Sequence, residues 1–234
     1  MRAANLAYAI ALFGAAGPAN AQLTGHLSLL SDYIFRGESL SEDGPAVQAG
    51  LSYDHSSGLF IGALGSSVRV DPKVSGLGGE IYGGYAHPLG KQGSWEIGAV
   101  SYLFPHPSSG PGYDYTELFI GAGIESINGR IFYSNDYFNF GAPGIYAEVN
   151  GSRLLGRGMR LVAHIGYLDR RVPRASSSDN SGHTSLDFKA GLGFDISLLN
   201  IELAVVGSTA DRGSCPAGTG HCNTRAVLSV SRSF

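Results

Sequence analysis

The chain has 234 residues, 43% apolar and 15% charged, with a formal net charge of −3 at neutral pH. This length allows one large domain or two small ones, and the absence of a basic surface argues against nucleic acid as a partner. The charged share is far below the usual quarter; 35 glycines and 23 aromatic Tyr and Phe residues (12 + 11) suit a β protein with many tight turns.

Residues 1–21 read as a secretory signal. Arg2 supplies the positive region, LAYAIALFGAA (6–16) the apolar one, and Ala19-Asn20-Ala21 a cleavage site, so the mature chain is expected to begin at Gln22. The apolar run is too short for a membrane helix, and no later run reaches the ~18 residues that one needs.

From there period two dominates. In SLDFKAGLGFDIS (185–197), Leu186, Phe188, Ala190, Leu192, Phe194 and Ile196 share one face. Asp187, Lys189 and Asp195 share the other, which is the signature of a two-faced strand. Strands are expected over 23–36, 46–55, 58–70, 77–87, 94–104, 114–126, 130–139, 144–154, 158–170, 184–197, 200–210 and 224–234. The connections alternate. HSSG, PLGKQGS, SING, LGRG and SLLN are short; GESLSEDGP, VDPKVSGL, PHPSSGPGY, DRRVPRASSSDNSGH and ADRGSCPAGTGHCN are long, and only NFGAPG on that side is brief. Short turns at one end and long loops at the other are the pattern of an outer-membrane barrel. The expected fold is therefore all-β: a transmembrane antiparallel up-and-down β-barrel of about 12 strands over 22–234, after a cleaved signal peptide. An even strand count puts both termini at one end, taken as periplasmic.

Cys215 and Cys222 lie close together in the last loop. An exported chain favours a disulfide between them; the alternative, a metal held with His221, is an incomplete zinc set. The chain stops on Phe234, with Ala226, Leu228 and Val230 on the same face. Outer-membrane barrels end this way, so Phe234 is the expected assembly signal. Arg232 falls on that oily face, close enough to the end to snorkel. Tyr33, Phe35, Tyr53, Tyr85, Trp95, Tyr133, Tyr137 and Tyr167 lie near strand ends, as interfacial girdles require.

With the oily face turned to lipid, the other face lines the lumen. By alternation it carries Asp32, Arg36, Glu80, Glu96, Glu117, Glu125, Arg130, Asp136, Glu148, Arg160, Asp187, Lys189, Asp195, Glu202 and Arg225, with His26 and His164. Ten acids against five bases would favour cations in a water-filled bore, unless the charges pair across the barrel and plug it. Inward glycines such as Gly121 and Gly193 would leave room. Twelve strands lie between the eight whose interior side chains fill and the sixteen that enclose a channel, so any bore should be narrow.

Ser31-Asp32-Tyr33-Ile34-Phe35-Arg36-Gly37-Glu38-Ser39, followed by Pro45-Ala46-Val47-Gln48-Ala49-Gly50, resembles the opening of the TorF-type family, the Gcw group of conserved hypothetical outer-membrane proteins. The motif covers about residues 31–62; length, signal and terminal Phe fit the family over the rest. The resemblance implies an outer-membrane barrel with an assumed pore role and no established catalytic residue. The alternation puts Tyr33 and Phe35 on the lipid face, and Asp32 and Arg36 in the lumen mouth. Four residues apart on a strand, those two charges stand about 13 Å apart and pair with neighbours rather than with each other. They serve either as a register-fixing cluster or as a solute filter.

No G-x-S-x-G, H-E-x-x-H, P-loop or C-x-x-C occurs. Asp54-His55-Ser56 is read as a polar turn. The expected function is a narrow passive channel for small solutes with mild cation preference, not an enzyme, with no cofactor and no metal. Its expected partners are outer-membrane lipid, the barrel-assembly machinery, periplasmic chaperones and small solutes. The alternatives are a closed structural or adhesion barrel and a lipase-like barrel using His87, His106, His183 or His221.

Overall fold

The computed structural model describes residues 22–71, 74–107, 112–171, 183–210, 215 and 219–234; the expected signal peptide lies outside them. The strands are β1 (Gln22–Leu30), β2 (Ile34–Phe35), β3 (Glu38–Ser39), β4 (Ala46–Asp54), β5 (Leu59–Asp71), β6 (Val74–Leu89), β7 (Gly93–Leu103), β8 (Tyr115–Ile124), β9 (Ile127–Ser134), β10 (Gly144–Gly156), β11 (Met159–Arg170), β12 (His183–Ile196), β13 (Leu199–Ser208) and β14 (Arg225–Ser233). Twelve of them close into one barrel, each pairing with its sequence neighbour; β2 and β3 form a separate small hairpin. Every barrel pairing is antiparallel, so closure leaves no free sheet edge.

The first and last described strands seal the barrel. β1 pairs with β14 from His26↔Ser233 to Leu30↔Ser229. Gly25 then donates its N–H to the Phe234 carbonyl at 2.8 Å, and Phe234 returns one to Gly25 at 3.0 Å. Gln22 and Phe234 both lie at the short-turn end, since Gln22 pairs with Asp54 just before the 55–58 turn and Phe234 bonds Gly25. At the other end β5 and β6 run on to Asp71 and from Val74, absorbing most of the connection that VDPKVSGL suggested.

Alternation sorts the side chains as lipid requires. Leu27, Leu29, Ile120, Ile131, Ile165, Phe188 and Leu203 stand exposed around the outside, while Glu80, Glu96, Glu117, Arg130, Arg160 and Asp187 are buried inside. This is the reverse of a soluble barrel. Arg232 is exposed on the outer face, opposite Leu27 near the seam.

One element departs from expectation. The first strand stops at Leu30 rather than running to residue 36. Ser31 turns the chain, its N–H bonded to the Leu228 carbonyl at 2.8 Å and its hydroxyl accepting from the Leu228 N–H at 2.9 Å. The chain then folds into the barrel instead of continuing up its wall.

Candidate functional site

The segment 31–45 crosses the lumen. Its tip is the β2–β3 hairpin, turning at Arg36 (φ 50) and Gly37 (φ 78), in the left-handed region where glycine is favoured. A Cβ on Gly37 would meet the Cβ atoms of Asp187 on β12 and Ser208 on β13 at 2.6 and 2.8 Å. The tip therefore rests directly on that wall. Arg36 reaches the other way. It donates Nη1 and Nη2 to the two carboxylate oxygens of Glu117 on β8 at 2.8 and 2.5 Å. In the closed order β1-β4-β5-β6-β7-β8, that strand is five places from β1, with six the maximum in a ring of twelve. The guanidinium also lies 4.1 Å from the Tyr146 ring and within 6.0 Å of the rings of Phe35, Tyr102, Phe132 and Tyr137.

The rest of the motif fastens this hairpin. Asp32 accepts from the hydroxyls of Ser39 (2.5 Å) and Ser41 (3.0 Å) and from Arg225 Nη1 on β14 (2.9 Å). Glu38, wholly buried, accepts from the Thr219 N–H and hydroxyl, each at 2.5 Å. Arg69 on β5 donates its N–H to the Leu40 carbonyl at 2.6 Å. Thr219 lies within the loop closed by the Cys215–Cys222 disulfide. Asp32 and Arg36 thus pair with opposite walls and not with each other. Tyr33 and Phe35 are not on the lipid face. Both pack on the internal aromatic cluster, Phe35 edge-on to Tyr102 at 5.3 Å between ring centres. Alternating aromatic and polar residues satisfy a lumen-crossing hairpin as well as a lipid-facing strand. Tyr137 also lies inside, fully buried in the 135–143 loop. Burial pushes its hydroxyl up to about 12.

Below the hairpin the wall charges pair. Arg130 binds Glu96 and lies 3.9 Å from Glu148; Arg160 binds Asp195 at 2.8 Å; Lys189 binds Glu202 at 2.8 Å. His164 joins Asp187 at 2.8 Å, and the Tyr146 hydroxyl lies 3.2 Å from each of them. Glu80 is buried with its Oε1 lacking a hydrogen-bond partner. The inward glycines do leave room, but long side chains fill it: Gly121 lies against Glu96 and Arg130, Gly193 against Arg160.

Three expected lumen residues are elsewhere. Glu125 is exposed in the β8–β9 turn with φ 51, so the alternation was carried one residue beyond the strand. Asp136 lies past the end of β9, where it accepts the Gly141 N–H at 2.7 Å and shapes its own loop. Asp195 sits exposed at the turn-end rim. The polar reading of the lumen also missed an aromatic wall. Phe60, Tyr82, Tyr102, Tyr115, Phe119, Phe132 and Tyr146 are all buried on the inward face of β5–β10. Their parity was the available signal, since Phe119 is two residues from Glu117 and Phe132 two from Arg130. Among the histidines, His87 is stacked on Tyr85, His106 lies 3.5 Å from Asp114, His183 is exposed and His221 bonds Asp43 at 2.7 Å.

Beneath the hairpin a chamber of about 100 Å³ is left, reached by side chains from most of the barrel wall.

A closed twelve-stranded barrel, oily outside and constricted by an inward-folded segment, has the porin fold. It is similar to the KdgM porin (11% identical, TM-score 0.51, covering 90% of this chain and 99% of that one). It is likewise similar to the NanC porin (10% identical, TM-score 0.53, covering 91% and 99%). At these identities the likeness is one of fold. The chain belongs to the family described as bacterial protein of unknown function (Gcw_chp), whose model matches residues 14–234. No curated protein matches the sequence.

Proposed function

We propose that the protein is a narrow outer-membrane channel for the passive passage of small solutes, with a mild preference for cations. One observation carries this reading: the Arg36–Glu117 bridge spans a lumen that is narrowed but still holds a chamber beneath it. The fold shared with two porins supports it. The cation preference rests on inward carboxylates outnumbering inward cations: Asp32, Glu38, Glu96, Glu117, Glu148, Asp187 and Glu202 against Arg36, Arg130, Arg160, Lys189 and Arg225. In this reading a signal peptide over 1–21 exports the chain, and chaperones and the assembly machinery deliver it to outer-membrane lipid. Both termini then face the periplasm, and the motif 31–39 marks the TorF-type group.

A closed structural barrel is the second reading. Leu40, Tyr137 and Phe138 are almost wholly buried near the long-loop end, which favours a plug. Planar-bilayer recording of the refolded protein separates the two. Small single-channel steps with a cation-selective reversal potential support the channel; a silent membrane supports the closed barrel.

A further inference from the structure

The rings and most of the polar groups of the chamber under the hairpin come from different strands. Phe35, Tyr102, Phe132 and Tyr146 face it from the hairpin and from β7, β9 and β10, with Glu148 among them; Gln48, Lys189, Glu202 and Ser229 come from β4, β12, β13 and β14, interspersed with Ala204, Val206 and Val227. In ring order these polar strands are roughly opposite the aromatic ones. Rings offer flat carbon surface; the amide and hydroxyl offer hydrogen bonds to a polar solute.

The charges around the chamber are already matched. Asp32, Arg36, Glu148, Lys189 and Glu202 line it. Asp32 is held by Arg225 and Arg36 by Glu117; Lys189 and Glu202 hold each other; Glu148 accepts from Asn150 and lies 3.9 Å from Arg130. A solute carrying a carboxylate must shed water and then enter beside Glu148 and Glu202, acids that already have partners, in a lumen whose acids outnumber its bases. An uncharged solute exchanges water for hydroxyl contacts and lays its carbon skeleton on the rings.

Size narrows the class further. The chamber, open on one side and about 100 Å³ in volume, is smaller than the ~150 Å³ cavity that encloses benzene, so a solute of six heavy atoms fits by extending into the opening and a hexose does not fit.

Resting on the channel reading, we propose that this chamber is a binding and selection site for small uncharged polyols of about glycerol size, and that Arg36 sets the upper size limit. Glycine, similar in size but zwitterionic, is rejected on its carboxylate; glucose, with twice the heavy atoms, is rejected on volume.

The test is swelling of proteoliposomes in isotonic glycerol, glycine or glucose, with the rate of protein-free vesicles subtracted. Glycerol is expected to enter at least tenfold faster than either of the others. In Arg36→Ala the glycerol-to-glucose ratio should fall several-fold, and Ser229→Ala, which keeps the hairpin latch, should slow glycerol alone. Equal rates for glycerol and glycine, in protein that conducts in planar bilayers, overturn this inference and leave the channel reading standing. Neither swelling nor conductance overturns both. If Arg36→Ala fails to fold, Ser229→Ala with an unchanged glycerol rate still rejects the site.

Discussion

The ring of Phe234 lies over Gly25. An added Cβ at Gly25 would overlap the ring's Cε2 and Cζ atoms, and the two residues exchange both backbone hydrogen bonds. The last residue of the chain is therefore seated where the barrel closes, and the lack of a side chain on β1 permits it. The seam is also the shortest of the barrel pairings among the described residues, five residue pairs in β1–β14 against nine in β1–β4.

Gly25→Val should accordingly impair closure more than any outward-facing substitution on the same strand. Refolding into detergent micelles, followed by the gel-mobility difference between folded and unfolded barrel, measures it. We expect a several-fold lower folded yield for Gly25→Val and a near-normal yield for Leu29→Val. Normal yield for both removes the seam argument.

The bridge between Arg36 and Glu117 gives a prediction with two readouts. Both side chains are buried, so removing one partner strands a charge and should cost about 3–5 kcal/mol of local or global stability. Removing both, as Arg36→Met with Glu117→Leu, should cost far less. Conductance should rise in all three variants, because the hairpin loses its hold on β8 in each. If the single and double variants lose stability equally, the pair is not the fastening we describe.

Gly37→Val tests the hairpin from the opposite wall. The φ of 78° disfavours a β-branched residue, and its Cβ would collide with Asp187 and Ser208. We expect the segment 31–45 to leave the lumen, becoming sensitive to protease and widening the pore. Unchanged protease resistance and conductance would show that the tip tolerates a side chain.

Much of the barrel is legible from period two, because a strand between lipid and lumen has two chemically opposite faces. Phe188 and Asp187 could not exchange places without placing a charge in lipid. The same period is blind where both environments are apolar. Tyr33 and Phe35 alternate with Asp32 and Arg36 just as lipid-facing residues would, yet Phe35 meets the rings of Tyr102 and Phe138 inside the barrel and Tyr33 packs on the same cluster. What ends β1 is a pair of hydrogen bonds exchanged between Ser31 and Leu228, nearly two hundred residues away and invisible to local pattern. The pairing of Arg36 with Glu117 is equally non-local. Glu125 and Asp136 show the complementary error, since alternation says which face a residue takes only while the strand lasts.

Trp95 reports on the outer face. It is the one tryptophan, and it packs against Tyr85 at 5.9 Å and His87 at 6.3 Å between ring centres, on the outward side of β6 and β7 near the turn end. In an interfacial collar its fluorescence should be quenched strongly by lipids brominated near the headgroup and weakly by lipids brominated near the chain ends. Quenching by a water-soluble quencher alone would place this collar outside the membrane.

The disulfide supports the hairpin rather than the barrel. Cys215 and Cys222 are seven positions apart, and Thr219 between them makes two hydrogen bonds to Glu38. Ser39 also donates its N–H to the His221 carbonyl at 2.8 Å. A ring this small restrains the unfolded loop by about 2–3 kcal/mol, while the twelve-strand ladder closes without it. Thiol labelling should find no free cysteine before reduction and two afterwards. Reduction should leave the strand signal in circular dichroism unchanged but make the conductance noisier, as Glu38 loses its clasp and the hairpin moves. Loss of the strand signal on reduction would instead make the bridge a part of the barrel's own stability.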